Sequence, residues 1–334
     1  MKVLLTKSFF REDLDYILKH LLEGITILTP KGFDESSLLD LVSEADIFLG
    51  SYITNKMLDK AVRLKFIQIP WTGVDNLDFE LLSKHNIVVC NSHSNSAAVA
   101  EHAVAMMMDA AKKISYHDRL LRQGKWNRVI RGQINEISPF SKMISKSRVG
   151  IIGFGAIGKQ IYSFLKGYNC TFKIFTKGVV NQDVYGTDLI AFSPLDMYNE
   201  ISELDFIFVT VPLTPETNKM INSQFLSAMN NSAILINISR GEVIHEEDFY
   251  NALKDKTIAF ASVDTWFNYP TKENTEVFPS SRFDYHLLDN LVLSPHRAGY
   301  VENCFPHLDD AIENINRAYQ GKPLKNVISL KDRY

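Results

Sequence analysis

The sequence predicts an α/β protein built on two parallel sheets, and three observations carry that expectation. Short apolar runs alternate with helix-period stretches along nearly the whole chain, the pattern of parallel strands joined by crossover helices and covered on both faces. The run Arg148-Val-Gly-Ile-Ile-Gly-Phe-Gly-Ala-Ile-Gly158 enters a glycine turn and leaves it in a helical pattern through Ile161, Phe164 and Leu165. At 334 residues, the chain is long for one core and comfortable for two.

In the first block, strands are expected at residues 2–6, 25–28, 47–50, 66–69 and 87–90, each a short apolar run bounded by polar or turn residues. Helical periodicity falls between them, around Leu14, Ile17, Leu18 and Leu21, then near 38–42, 54–61 and 79–85. This block lacks a glycine fingerprint and is not expected to hold a dinucleotide. Residues 97–113 form a small-residue helical pattern that suits a connector at an interdomain seam. Residues 114–145 read as an arm, irregular from 122 onward where Gly124, Trp126, Gly132 and Pro139 interrupt any period.

The second block has expected strands at 149–152, 171–175, 206–211, 233–238, 258–263 and 291–293, with helices between most of them, including 223–228 and 246–253. A last helical pattern, 308–319, runs to Gly321-Lys-Pro323, and a tail at 326–330 closes the chain. No internal repeat or low-complexity segment is present.

Composition narrows the function. Hydrophobic content of 46% and charged content of 22% belong to a soluble globular protein. A formal net charge of −3 gives no electrostatic case for nucleic acid or an anionic membrane. Cys90, Cys170 and Cys304 lack metal-site spacing and suggest a reducing compartment, with buried small hydrophobes as their ordinary role. The apolar run at the N-terminus is too short for a signal peptide, and no later run is long enough to cross a membrane. A cytoplasmic protein without a metal site is expected.

The glycine turn carries the first chemical signal. Gly153 permits a tight turn, Gly155 lets the backbone approach a pyrophosphate, and Gly158 lets helix and strand pack closely. An ordinary glycine-rich βα turn would share the spacing. The preceding strand and following helix favour a dinucleotide site.

Ligands of an open parallel sheet bind beyond the carboxyl ends of its strands. Three polar residues follow strands of the second block: Arg240 after 233–238, Asp264 after 258–263 and His296 after 291–293. An arginine grips a carboxylate bidentately, and a histidine titrating near neutrality exchanges the proton of a carbonyl/alcohol interconversion. Each alone has an ordinary alternative: a surface salt bridge, a helix N-cap or a satisfied core histidine. Three at one sheet edge, beside a nucleotide fingerprint, favour catalysis.

With these residues in view, the chain resembles the D-isomer-specific 2-hydroxyacid dehydrogenases. The resemblance rests on Gly73-Val-Asp-Asn-Leu-Asp78, Val99-Ala-Glu-His102, Gly153-Phe-Gly-Ala-Ile-Gly158, Val211-Pro-Leu-Thr-Pro-Glu-Thr217, Ile236-Asn-Ile-Ser-Arg-Gly-Glu-Val243, Val263-Asp-Thr-Trp266 and Ser294-Pro-His296. It implies a Rossmann coenzyme domain, about residues 100–297, inserted into a discontinuous flavodoxin-like substrate domain of residues 1–99 plus 298–334. It implies a homodimer formed through the connector and arm. Arg240 would bind the substrate carboxylate and carbonyl, His296 would be the acid/base, and Asp264 would bind the nicotinamide carboxamide. Coenzyme contacts would include Gly153, Gly155, Ala156, Ile157, Gly158, Thr176, Lys177, Val211, Pro212 and Ile238. Backbone amides of Thr72, Gly73 and Val74 would hold the substrate carboxylate from the other domain.

Two departures from the family pattern stand out. The family places a glutamate before the proline that ends the stretch after Asp264, where it hydrogen-bonds the histidine; here Tyr269 precedes Pro270. A carboxylate raises the pKa of a neighbouring histidine and fixes its tautomer, whereas a neutral phenol orients the ring with little charge stabilisation. Either His296 works unassisted by charge, or a carboxylate such as Glu273 substitutes. Related formate dehydrogenases also lack this glutamate, so its loss does not imply inactivity. The second departure is at the acidic position expected after the second strand of the coenzyme unit, which falls on Thr176 with Lys177 next. Without a carboxylate nothing repels a 2′-phosphate, and Lys177 offers it a cation; NADP is expected ahead of NAD.

Arg297 is a further candidate anion contact, for a phosphorylated or dicarboxylic substrate, with an ordinary salt bridge as its alternative. Trp71 either narrows the pocket or packs in the core. The expectation is an NAD(P)H-dependent reductase of a small 2-oxo acid, of the glyoxylate or hydroxypyruvate type, with cleft closure excluding water. Alternatives are a dehydrogenase of another small anion such as formate, or a nicotinamide-sensing protein weakened in catalysis at Tyr269.

Overall fold

The computed structural model describes residues 1–126, 141–178, 180, 185, 189–302 and 304–334. The chain divides into two compact units, Met1–Asn95 with Val301–Tyr334, and Ser96–Tyr300.

Unit 1 is a five-stranded parallel sheet of β1 (Lys2–Leu5), β2 (Thr26–Leu28), β3 (Ile47–Leu49), β4 (Phe66–Gln68) and β5 (Val89–Cys90), in the order β2-β1-β3-β4-β5. Side chains alternate between two buried faces. Leu4, Phe48, Ile67 and Val89 meet Met57 and Leu82 on one face, while Val3, Leu5, Ile47, Leu49 and Phe66 meet Ile17, Leu308, Ala311 and Ile315 on the other. The covering helices are α1 (Arg11–His20), α2 (Glu35–Leu39), α3 (Asn55–Lys60) and α4 (Phe79–Lys84). The last three start where Asp34, Thr54 and Asp78 accept a hydrogen bond from an amide of the first turn. The C-terminal helix, Pro306–Tyr319, belongs to this unit, and its buried Asn314 donates to Gln68 at 2.9 Å. The tail then pairs with the edge strand β5, with Ile328 donating to Val89 at 2.9 Å and Asn91 to Asn326 at 3.1 Å. An otherwise open edge is thereby covered.

Unit 2 begins with α5 (Ser96–Lys112) and α6 (Ile114–Arg122), followed by β6 (Arg148–Ile152), α7 (Ala156–Leu165), β7 (Thr171–Phe175), β8 (Leu189–Phe192), α8 (Met197–Glu200) and β9 (Phe206–Val209). It continues through α9 (Ser223–Ala228), β10 (Ile234–Asn237), α10 (Glu246–Lys254), β11 (Phe260–Val263) and β12 (Leu291–Leu293). All seven strands are parallel, in the order β12-β11-β10-β9-β6-β7-β8, the doubly wound arrangement of a Rossmann domain. Small residues let α5 lie close on the sheet. Ala100, Ala103, Met107, Ala110 and Ala111 pack with Ile151, Phe208, Ile236 and Phe260.

Two stretches differ from the sequence expectation. The arm expected over 114–145 opens with a helix that the sequence does not predict, α6, ahead of the stretch expected to be irregular from 122 onward; Lys113 separates α6 from α5 by adopting φ 56°. Only Tyr116 of α6 is buried, so the helix leaves little apolar signal. Gly132 and Pro139 lie outside the described residues. Strand β8 is a further addition: it is a four-residue edge strand, Leu-Ile-Ala-Phe, of which only Leu189 is fully buried.

Candidate active site

Strands β6 and β9 are neighbours whose onward connections run to opposite sides of the sheet, so the crevice beyond their carboxyl ends is the switch point of unit 2. Its floor is the glycine turn. Gly153 has φ +91°, and a Cβ there would lie 3.0 Å from Val211 Cγ1 and 3.1 Å from the Thr210 carbonyl carbon. A Cβ on Gly158 would meet the Gly153 carbonyl oxygen at 2.5 Å, so α7 crosses too close for any side chain. Gly155 is different: nothing lies within 4 Å of its would-be Cβ. The protein itself does not demand glycine there, whereas a ligand pressed against the backbone would.

Gly155 is also the N-cap of α7, with no side-chain cap, so the first amides of the helix, including those of Ala156 and Ile157, open onto this space. These features fit a dinucleotide pyrophosphate. Val211, Pro212 and Ile238 line the same edge: Ser239 Oγ donates to the Val211 carbonyl, and the Ile238 amide donates to Val209 at 3.4 Å.

Thr176 follows β7, and its hydroxyl accepts the Gly178 amide at 3.3 Å in a local turn. Lys177 pairs with Glu216, and both side chains are largely exposed. No carboxylate occupies position 176 or 177.

Beyond β10, Asn237 shapes the turn that carries Arg240. Its Nδ2 donates to the Arg240 carbonyl at 3.0 Å and its Oδ1 accepts the Ser239 amide at 3.1 Å. The next residue, Gly241, presses this turn onto the loop after β11, because a Cβ there would lie 2.3 Å from the Trp266 carbonyl oxygen. That loop carries Tyr269, whose hydroxyl accepts the Trp266 amide at 2.9 Å. The Tyr269 ring lies 5.6 Å from the His296 imidazole, centroid to centroid. Tyr269 thus stands beside the histidine, where the family's glutamate is expected. Burial pushes its phenol pKa up, against the pull of the Trp266 amide and the Arg240 charge. The phenol is therefore neutral at physiological pH. Glu273 is exposed in a turn closed by hydrogen bonds between Thr271 and Asn274.

His296 adopts φ 56°, a left-handed conformation that costs a non-glycine residue of order 1 kcal/mol and concentrates at functional sites. Asp264, 1% exposed, holds it there. Its Oδ1 accepts Ser294 Oγ and the Arg297 amide (2.8 Å), and its Oδ2 accepts the Ala298 amide at 3.1 Å. Three of the roughly four acceptor sites of this carboxylate are spent on the loop that displays His296. His102 Nε2 lies 2.9 Å from Ser294 Oγ, and Trp266 Nε1 donates to the Ser294 carbonyl at 2.7 Å, so both brace the same loop. Arg297 itself is exposed, stacked 5.3 Å from the Tyr300 ring.

In unit 1, residues 72–74 follow the carboxyl end of β4. Thr72 Oγ1 donates to the Ser92 carbonyl at 2.9 Å, and Asn91 Nδ2 donates to the Thr72 carbonyl at 2.7 Å. Val74 is buried. Among the described residues, the amides of Thr72, Gly73 and Val74 have no acceptor. Consecutive bare amides form an anion-binding concavity.

Sequence reasoning missed Asn237, Gly241, Ser294 and the bracing role of His102. Only their motif membership offered a signal, since their hydrogen bonds depend on how the loops fold back. Among the described residues no helix is long and apolar enough to cross a membrane.

Comparison with known proteins identifies the family and the fold. A family model described as D-isomer specific 2-hydroxyacid dehydrogenase, NAD binding domain, matches residues 104–298, more than half of the chain. A glyoxylate reductase of Pyrococcus horikoshii is 33% identical over 78% of this chain and 75% of its own length. A D-3-phosphoglycerate dehydrogenase of Methanocaldococcus jannaschii is 29% identical over 99% of this chain but only 60% of its own length. The chain thus spans about three-fifths of the archaeal phosphoglycerate dehydrogenases it matches. Among solved structures, the NAD complexed form of a D-isomer specific 2-hydroxyacid dehydrogenase from Lactobacillus delbrueckii ssp. bulgaricus has a TM-score of 0.79 at 21% identity, covering 98% of this chain and 100% of that one. At that identity the likeness is one of fold.

Proposed function

The chain belongs to the D-isomer-specific 2-hydroxyacid dehydrogenase family, and on that premise we propose that it is an NAD(P)H-dependent reductase of a small 2-oxo acid, yielding the D-2-hydroxy acid. The observation that carries this reading is the loop pairing at the carboxyl edge of unit 2. Gly241 packs the Arg240 turn onto the loop of Tyr269, whose ring adjoins His296.

The turn at 153–158, with Val211, Pro212 and Ile238, holds the dinucleotide. The nicotinamide, when bound, supplies the hydride. Arg240 grips the substrate carboxylate and polarises the carbonyl. In unit 1, the bare amides of residues 72–74 suit a carboxylate. Protonated His296 donates its proton to the developing alkoxide oxygen and takes it back in the oxidation direction. Asp264 keeps one acceptor site for a carboxamide, but its main work is to position His296. Arg297 takes no part in this scheme.

NADP is favoured over NAD. No carboxylate at 176 repels a 2′-phosphate, and the exposed Lys177–Glu216 pair is worth at most about 1 kcal/mol, so its lysine is readily given up to a phosphate. A cytoplasmic homodimer acting on a small 2-oxo or 2-hydroxy acid completes the reading; the three free cysteines suit that compartment.

The test is a spectrophotometric screen of 2-oxo acids with NADPH and NADH across pH. Turnover of at least one 2-oxo acid, with higher kcat/KM for NADPH, is expected. A preference for NADH overturns the cofactor choice. Tight dinucleotide binding without turnover of any 2-oxo acid would replace this reading with a sensing protein, which the uncharged Tyr269 beside His296 favours.

A further inference from the structure

Unit 1 has a switch point of its own. Its order, β2-β1-β3-β4-β5, sets β1 and β3 side by side with connections leaving in opposite directions. Lys7 follows β1 there, and Gly50 follows β3 with φ +133°. A Cβ on Gly50 would come 2.7 Å from Thr6 Oγ1 and 3.1 Å from Lys7 Cγ, so the glycine leaves room for the lysine stem. Trp71, at the end of the next strand, completes the seat: Lys7 Nζ lies 4.3 Å from its ring centroid and 5.4 Å from that of Phe9.

This ammonium is half-buried, and burial lowers its pKa, with the charge of Asp13 opposing the shift. Among the described residues it has no hydrogen-bond acceptor and no carboxylate within 4.0 Å. The Asp13 carboxylate is instead turned to the Phe10 amide at 3.2 Å and to His307 Nε2 at 3.6 Å. Beside Lys7, the buried Thr6 hydroxyl also lacks a partner. An ammonium lying over an indole, partly withdrawn from water and without a carboxylate partner among the described residues, is placed to pair with a small anion. Other lysines of the unit, such as Lys2 and Lys56, have carboxylate partners.

We propose that Lys7, seated on Trp71, is a second anion site of unit 1, and that it takes the distal carboxylate or phosphate of a dianionic 2-oxo acid. The inference rests on the reading that residues 72–74, which follow Trp71 directly, hold the first carboxylate. Two anion-holding elements adjacent in the chain select a substrate charged at both ends. Both acid types share the chemistry of a compact oxyanion against an ammonium and differ in charge and size.

Two measurements test it separately from the catalytic reading. In the kinetic arm, oxaloacetate, 2-oxoglutarate and 3-phosphooxypyruvate are compared with pyruvate in wild type, Lys7→Met and Lys7→Arg. Lys7→Met is expected to lower kcat/KM for at least one dianion about tenfold or more relative to its effect on pyruvate, through KM. Lys7→Arg should restore most of that ratio, and the preferred dianion identifies carboxylate or phosphate. In the binding arm, succinate and inorganic phosphate are titrated against tryptophan fluorescence, with Trp71→Phe removing the reporter. A saturable signal lost in Lys7→Met supports the site even if no 2-oxo acid is turned over. An equal loss for pyruvate and the dianions, or a titration unchanged in Lys7→Met, overturns it.

Discussion

The two sheets share a parallel, doubly wound topology, yet their carboxyl edges are furnished differently. The edge of unit 2 is built on backbone: glycines at 153, 155 and 158, an uncapped helix start, and open space where a Gly155 side chain would be. The edge of unit 1 has no such turn and offers a lysine on an indole beside three bare amides. An extended diphosphate is held by many amides at close approach, which side chains would obstruct. A compact anion is met by a point charge. Topology decides where a sheet binds, and the residues at the strand ends decide what it binds.

The largest effect should come from Arg240, the substrate anchor proposed for the edge otherwise built on backbone. If Arg240 grips the substrate carboxylate as proposed, Arg240→Met costs about 3–5 kcal/mol, so kcat/KM for the preferred 2-oxo acid should fall roughly a thousandfold, with dinucleotide affinity nearly unchanged. Steady-state kinetics beside a dinucleotide titration checks both. A loss confined to dinucleotide binding would move Arg240 out of the substrate site.

The backbone argument is sharpened by two glycines that look alike in sequence. Gly158→Ala drives a Cβ into a backbone oxygen 2.5 Å away and should cost about 1–3 kcal/mol of stability, seen as a lower Tm. Gly155→Ala meets nothing within 4 Å, so Tm should hold while the dinucleotide Kd rises at least about tenfold. If Gly155→Ala binds as tightly as wild type, the open space is not where the pyrophosphate lies.

This contrast also explains what was legible in the sequence. Gly153 and Gly158 answer backbone demands that residue identity alone reveals, and Arg240 and His296 stand at recognisable strand ends. By contrast, the left-handed φ of His296, the three donors on Asp264 and the grip of Asn237 on the Arg240 turn arise only once distant loops fold back together. Lys7 reads as any lysine after a strand until Trp71 arrives over it from another strand end. Helix α6 leaves little apolar signal because it buries only Tyr116 completely, whereas β8 is a run of only four apolar residues at a sheet edge.

A smaller, pH-dependent effect concerns Tyr269. Burial raises its phenol above the ordinary value of 10.0, so the folded state binds this proton more tightly than the unfolded chain does. The stability linked to it is present below about pH 10 and lost as pH rises further. Across the neutral range the phenol is uncharged and places no negative charge beside His296. Tyr269→Glu places a carboxylate beside the imidazole, and the upper limb of the reduction pH profile should move up by about one unit. An unmoved limb would show that position 269 does not act on His296.

The smallest effect is expected at Lys177, where both partners are exposed and water screens the charge. Lys177→Ala removes the one cation proposed for a 2′-phosphate and should lower kcat/KM for NADPH about three- to tenfold, leaving NADH nearly unchanged. Glu216→Gln removes a carboxylate from beside the same lysine and should shift the NADPH/NADH ratio the opposite way. The two variants bracket the wild type if electrostatics at this edge chooses the cofactor. If both leave the ratio unmoved, the choice rests on the shape of the turn after β7, where Thr176 accepts the Gly178 amide, and unit 2 reads its ligand through backbone there as it does at the glycine turn.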